Sequence, residues 1–328
     1  MKAIVCTKYG LPEVMQLGEV EKPTPKDDEV LVEVHASSVT THNLLLVSGK
    51  PFFVRLMGGA LLKPKIRIPG SDIAGRVVAV GRNAKQFKPG DEIYGDLSLC
   101  GFGAFAEYAA VPENALALKP ANISFAEAAA VPQAALVALQ GLRDKGQIQK
   151  GQKVLIYGAS GGIGAFAVQL AKYFGAEVTG VCSAGNLEMV RSLGADYVID
   201  YTKEDFTKNG QRYDLIFAIA YRSIFAHRRA LRPQGIYVST GGPSLTRIFQ
   251  DMLIGPSLFK RGGKKLASGW VVKINQKDLV FIKELIETGK VKPVIDRCYP
   301  FSDSAQAFRY FGAGHSRGKV VIIVAQNS

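Results

Sequence analysis

The chain has 328 residues, 47% of them hydrophobic, which is enough for two ordinary domains with cores of their own and excludes a mainly disordered protein. Its longest apolar runs, "LIFAIAY" and "VVIIVA", fall far short of the roughly 20 residues that span a bilayer. The formal net charge of +13 suits nucleic acid, an anionic membrane surface or an anionic cofactor, and does not choose among them.

The opening stretch "MKAIVCTKYGLPEV" has no apolar signal region before charge and Pro return, so a cytoplasmic location is expected. Up to about Pro120 the pattern is strand-like: "KAIVCT", "EVLVEVHASS", "AGRVVAVG", "DEIYGDL" and "FAEYAAVP", with Pro, Gly and Asp between them. Between Lys50 and Arg67 a long acid-free segment mixes Phe, Leu and Met with Lys50, Arg55, Lys63, Lys65 and Arg67. It is expected to wall a substrate pocket, and the same composition allows a weak contact with an anionic membrane. A second basic group, Lys260, Arg261, Lys264 and Lys265, reads as solvated surface. Cys6, Cys100, Cys182 and Cys298 are scattered, which excludes a disulfide framework and a C-x2-C metal site and predicts reduced, mostly buried thiols.

After "ALKPANIS" the period changes to that of a helix over "FAEAAAVPQAALVALQGL", with Ser124 and Glu127 as its capping box. From Lys153 strands and helices alternate, which predicts βαβ units and a parallel, doubly wound sheet. Past about Lys265, "LVFIKELIETGKV" reads as an amphipathic helix and "KVVIIV" as a strand that returns to the first domain. The expected class is therefore α/β, with a β-rich domain of residues 1–122 and 265–328 and a doubly wound domain of residues 123–264.

In "VLIYGASGGIGAFAVQLAKYFG" an apolar strand runs into a Gly-rich turn and straight into a helix, the context that a dinucleotide fingerprint requires. Ala159, Ser160, Gly161, Gly162 and Ile163 form the expected phosphate-binding segment: Gly161 lets backbone approach a pyrophosphate, and Gly164 lets helix pack on strand. Ala159 stands where the fingerprint has its first glycine. The next strand, "AEVTGVC", ends at Cys182 and Ser183 rather than at the acid that reads the ribose of NAD, so Ser183 and Asn186 favour NADPH. Both side chains also suit the N-cap of the helix that follows.

These segments, with "SLGADYVIDYTKEDF", "IPGSDIAGRVVAVG", "FKPGDEIYG" and "GAFAEYAAVP", resemble the medium-chain dehydrogenase/reductase superfamily, and within it the zinc-free quinone oxidoreductases related to zeta-crystallin. The resemblance covers nearly the whole chain in order. It implies a GroES-like substrate domain interrupted by a Rossmann domain, a cofactor between them, and a homodimer. It places Tyr201 near the adenosine 2′-phosphate, Gly241 and Gly242 at the turn past the nicotinamide, and Lys319 at a C-terminal cofactor contact. Zinc alcohol dehydrogenases of the superfamily hold their metal through a Cys and through the His of a Gly-His-Glu motif, where this sequence has Thr40 and Gly70-Ser71-Asp72. No metal site is expected, and His35 and His42 read as structural or surface residues.

Without a metal, hydride transfer needs close approach, about 3–3.5 Å, and hydrogen-bond donors at the developing oxyanion. That suits electron-poor acceptors, quinones and α,β-unsaturated carbonyls. Thr40 and Asn43 are the candidate donors, or else they only cap the helix that follows; Asp72 reads as a structural acceptor. The competing readings are a non-catalytic, crystallin-like protein that keeps NADPH, and an RNA-binding protein, although no RRM, zinc-finger or helix-turn-helix pattern is present.

Overall fold

The alternating N-terminal segments pair into antiparallel sheets, and the continuously apolar ones after Lys153 form a parallel sheet. The computed structural model describes residues 1–10, 12–52, 55, 61–240, 250–260 and 263–325, apart from the side chain of Met252. The chain forms two units, one of residues 1–133, 274–289 and 293–328, the other of residues 134–273 and 290–292.

In the first unit β1 (Lys2–Cys6) and β2 (Met15–Glu19) pair with each other. The main sheet holds β3 (Glu29–Val39), β4 (Asp72–Val80), β5 (Glu92–Asp96), β6 (Tyr108–Pro112), β7 (Leu116–Leu118), β14 (Ile295–Pro300) and β15 (Lys319–Ile323). Its order is β14-β15-β3-β4-β5-β7, with β6 also on β3. Val30, Val32 and Val34 alternate along β3 into a core with Ile73, Val77, Ile93 and Leu116. A second core gathers Ile4, Val39, Val47, Phe105, Phe308, Val320 and Ile322. Register places Ser38 opposite Asp72 and Asp72 opposite Asp96, so three strand ends bring polar residues to one place. Helix α1 (Thr41–Ser48) starts there, immediately after β3.

The expected helix from Phe125 onward is two helices, α2 (Phe125–Ala129) and α3 (Pro132–Gln140), because Pro132 has no N–H to give and disfavours helix in the residue before it. The capping box of Ser124 and Glu127 is present. Helix α2 stays with the first unit, where Phe125 stacks on His35 with ring centroids 4.1 Å apart. The division therefore falls after Gln133 and not after residue 122.

The second unit has the parallel order β10-β9-β8-β11-β12-β13, built from β8 (Lys153–Tyr157), β9 (Glu177–Cys182), β10 (Tyr197–Asp200), β11 (Tyr213–Ala218), β12 (Leu231–Ser239) and β13 (Lys265–Ala267). This is the doubly wound order, with α4 (Gly162–Tyr173) after β8 and α5 (Leu187–Ser192) after β9. Because β13 pairs with β12, the second unit extends to Lys273, beyond the expected end at residue 264. The amphipathic helix α6 (Gln276–Glu287) belongs to the first unit as expected. Cys6 and Cys182 are buried, but Cys100 and Cys298 are exposed, so mostly buried thiols is corrected to half of them. Cys100 lies in a turn, and Cys298 sits at an exposed position of the edge strand β14. Among the described residues no helix is long and apolar enough to cross a membrane.

Candidate active site

The phosphate turn begins at Gly158, whose φ of 92° only glycine adopts at little cost and whose N–H donates to Val181 O at 3.1 Å. Gly158, one residue earlier than the fingerprint glycine, thus makes the sharp turn, and Ala159 behind it is fully buried. The two later glycines differ. A Cβ on Gly164 would lie 2.1 Å from Gly158 O, so its absence lets the helix pack on the turn. A Cβ on Gly161 would meet no neighbour nearer than 3.8 Å, which leaves an open face before the first turn of α4. Gly161 is the N-cap and supplies no side-chain acceptor, so the N–H groups of Gly162 and Ile163 remain available to an anion there. The segment Ala159 to Ile163 therefore fits a pyrophosphate.

The end of β9 adjoins this turn. Asn186 Nδ2 donates to Ser160 Oγ at 3.2 Å and to Ser183 Oγ at 3.0 Å. Neither Ser183 nor Asn186 makes a side-chain capping bond, so the capping alternative is not what the fold uses. Because both hydroxyl oxygens accept from Asn186, each serine keeps its own proton to donate outward. Tyr201 is exposed, and its N–H donates to Cys182 O at 3.1 Å, which fixes it beside Ser183. Register also brings an acid here that the reading of β9 alone omits: Asp200 lies opposite Cys182, its carboxylate accepting from Thr202 N and Oγ1 at 3.0 and 2.7 Å. Those bonds hold Asp200 below the usual carboxylate range. Burial, aided by the Asp200 charge, pushes the Cys182 thiol up to about 11. Gly241 and Gly242 lie outside the described residues.

In the first unit, Thr40 and Asn43 form a complete capping box at the start of α1. Thr40 N and Oγ1 donate to Asn43 Oδ1 at 3.1 and 2.9 Å, and Thr40 Oγ1 lies 3.2 Å from Ser71 Oγ. The Thr40 proton is thus committed inside the protein. The Thr40 backbone N–H, which can only donate, fixes the Asn43 amide with its oxygen inward, and Asn43 Nδ2 is buried without a partner among the described residues. Next to them Asp72, fully buried, accepts from Ser38 Oγ, from Gln133 N at 2.8 Å and from Lys319 Nζ at 2.9 Å. Asp72 is a structural acceptor, as expected. Lys319 is tied to it as a buried ion pair, a partner that sequence spacing did not reveal. Burial, and then the charge of Asp72, pushes the Asp96 carboxyl up to about 7. Among the described residues no group of three or more His, Cys, Asp or Glu has metal-binding geometry.

Residues 26–121 match the alcohol dehydrogenase GroES-like domain and residues 193–322 the zinc-binding dehydrogenase family. The chain is 38% identical to the 2-methylene-furan-3-one reductase of Solanum lycopersicum over 98% of its length and 79% of the relative's. The chain belongs to the medium-chain dehydrogenase/reductase superfamily. It is also 37% identical to the chloroplastic NADPH-dependent alkenal/one oxidoreductase of Arabidopsis thaliana, over 98% of this chain and 79% of that one. The quinone oxidoreductase of Coxiella burnetii has the same fold, with a TM-score of 0.88 at 27% identity over 99% of each chain. Within the superfamily the protein is a quinone oxidoreductase-like enzyme, an oxidoreductase. Its first unit is the GroES-like domain and its second the Rossmann domain. Thr40 and Ser71, which the resemblance sets at the two zinc-ligand places, are a pair of hydroxyls 3.2 Å apart.

Proposed function

We propose that the protein transfers a hydride from NADPH to a quinone or an α,β-unsaturated carbonyl without zinc. The activities of its relatives support this, and the observation that carries the cofactor choice is the C-terminal end of β9, where the Ser183 and Ser160 hydroxyls, both held by Asn186, offer donors and no carboxylate directly follows Cys182. NADPH, when bound, supplies the hydride. Ala159 to Ile163 hold the pyrophosphate, with Gly161 leaving room for it. Ser183 and Tyr201 flank the 2′-phosphate, and Gly241 and Gly242 follow the resemblance at the nicotinamide. Lys319 is held by its ion pair with Asp72, and its ammonium has further N–H donors for the cofactor contact that the resemblance implies. Thr40 and Asn43 shape the substrate end from beneath its surface: the Thr40 hydroxyl is bonded to Asn43, and Asn43 Nδ2 is buried with no partner among the described residues.

With no metal to polarise a carbonyl, the acceptor must itself delocalise the charge, which selects quinones, enals and enones over saturated ketones. The test is NADPH oxidation by enzyme stripped with a chelator, across those acceptors. Turnover of enones or quinones with none of saturated ketones is expected; activity that returns only with zinc would overturn the reading.

A homodimer is proposed from the superfamily, to be measured by analytical ultracentrifugation. A cytoplasmic location accords with four free cysteines. A weak contact with anionic membranes is supported by Phe52, Leu61 and Leu62, which are 61%, 51% and 88% exposed, beside the exposed Lys50, Lys63, Lys65 and Arg67. Part of that segment, 53–54 and 56–60, lies outside the described residues. Absence of co-sedimentation with anionic vesicles at physiological salt would remove the membrane contact.

A further inference from the structure

We propose that His42 is a substrate-contacting residue whose Nε2–H donates a hydrogen bond to the acceptor's carbonyl oxygen. The inference rests on the hydride-transfer reading above. His42 is the second residue of α1 and is exposed, whereas its neighbours Thr40, Asn43, Ser71 and Asp72 are between 0 and 3% exposed. The buried hydroxyls are bonded to one another, and Asn43 is enclosed. An oxygen approaching this corner of the GroES-like domain therefore meets the imidazole and not the groups beneath it.

The protein also selects the form of the ring. Gln133 Nε2 lies 3.1 Å from His42 Nδ1, and an amide nitrogen can only donate, so Nδ1 accepts and the ring proton sits on Nε2. Gln133 is itself held: it is 8% exposed, and its backbone N–H donates to Asp72 Oδ1 at 2.8 Å. Gln133 is thus a positioning residue for His42. The charged groups grouped here are Asp72 of β4, Lys319 of β15 bonded to it, and Asp96 of β5. Packing of protein around the ring lowers the pKa of His42, and the Asp72 charge works against that shift. With Nδ1 accepting from the Gln133 amide, the ring carries a single proton and is neutral in this arrangement.

A neutral imidazole is a poor acid and a good donor, so it holds a developing oxyanion without surrendering its proton. The hydride's electron pair forms the new C–H bond at the β carbon, the C=C π pair shifts to join the α and carbonyl carbons, and the C=O π pair moves onto the oxygen as the enolate. Nε2–H keeps its proton and strengthens its bond to that oxygen, and water then protonates the α carbon. In a quinone the same bond meets the phenolate oxygen that forms.

The test compares wild type, His42→Leu and His42→Gln. Removing one oxyanion donor costs on the order of 10²–10³ in kcat. His42→Leu should therefore lose roughly that factor with an enone, His42→Gln should recover part of it, and NADPH affinity and melting temperature should stay unchanged. Independently of turnover, ¹⁵N NMR of the free protein should show the Nε2–H tautomer in wild type, shifted toward Nδ1–H in Gln133→Leu. Wild-type kcat in His42→Leu, or an Nδ1–H tautomer in wild type, would overturn the inference alone. A wild type inert toward every enone and quinone would overturn the hydride-transfer reading and this inference with it.

Discussion

Ser183 has a free hydroxyl proton because its oxygen already accepts from Asn186, so the end of β9 presents a donor to whatever lies beyond it. A carboxylate about 4 Å from a 2′-phosphate would repel it by roughly 1 kcal/mol in water and about 4 at an effective dielectric near 20, a loss of roughly fivefold to a thousandfold. Steady-state kinetics of Ser183→Asp should show KM for NADPH raised within that range and KM for NADH nearly unchanged. Equal effects on both cofactors would show that Ser183 does not meet the phosphate. Asp96 makes a different prediction. Its carboxyl is raised to about 7 in the fold against an ordinary value near 3.8, so the native state binds the extra proton. Between those values stability from this group falls as pH rises. The melting-temperature difference between Asp96→Asn and wild type should grow in the variant's favour from about pH 4 to 7; a constant difference would refute the buried, protonated acid. Neither the pairing of Asp72 with Lys319 nor its cross-strand register with Asp96 was legible in the sequence, because the partners are brought together by sheet pairing across long separations.

The β8–turn–α4 element, by contrast, was legible from sequence: an apolar strand, glycines and an apolar helix are consecutive, and local geometry decides them. What spacing missed was the division of labour, with the left-handed turn at Gly158 and not at the fingerprint position. The two later glycines separate fold from binding. Gly164→Ala places a methyl against backbone at 2.1 Å, so it should lower stability by about 1–3 kcal/mol and weaken NADPH binding. Gly161→Ala has 3.8 Å of clearance, so its melting temperature should match wild type while NADPH affinity, by calorimetry, falls tenfold or more. Equal destabilisation of both would mean that the open face at Gly161 is not a ligand space. The helix break at Pro132 was signalled by the proline itself, whereas the return of β13 to the Rossmann sheet was not, since three residues carry no periodicity.

For the whole molecule, the class, the two domains and the superfamily were readable because the strand pattern and the motifs run in order along nearly the entire chain. The substrate end was less readable: His42 is one histidine beside polar residues in sequence, and only the fold brings Gln133 to its Nδ1. The central claim, that a hydride from NADPH enters an activated double bond without a metal, is tested most directly by product analysis. Chelator-treated enzyme, NADPH deuterated at the transferring position and a simple enone should yield a saturated ketone with deuterium on the β carbon by NMR. Deuterium on the carbonyl carbon of an allylic alcohol, or none in the product, would contradict it.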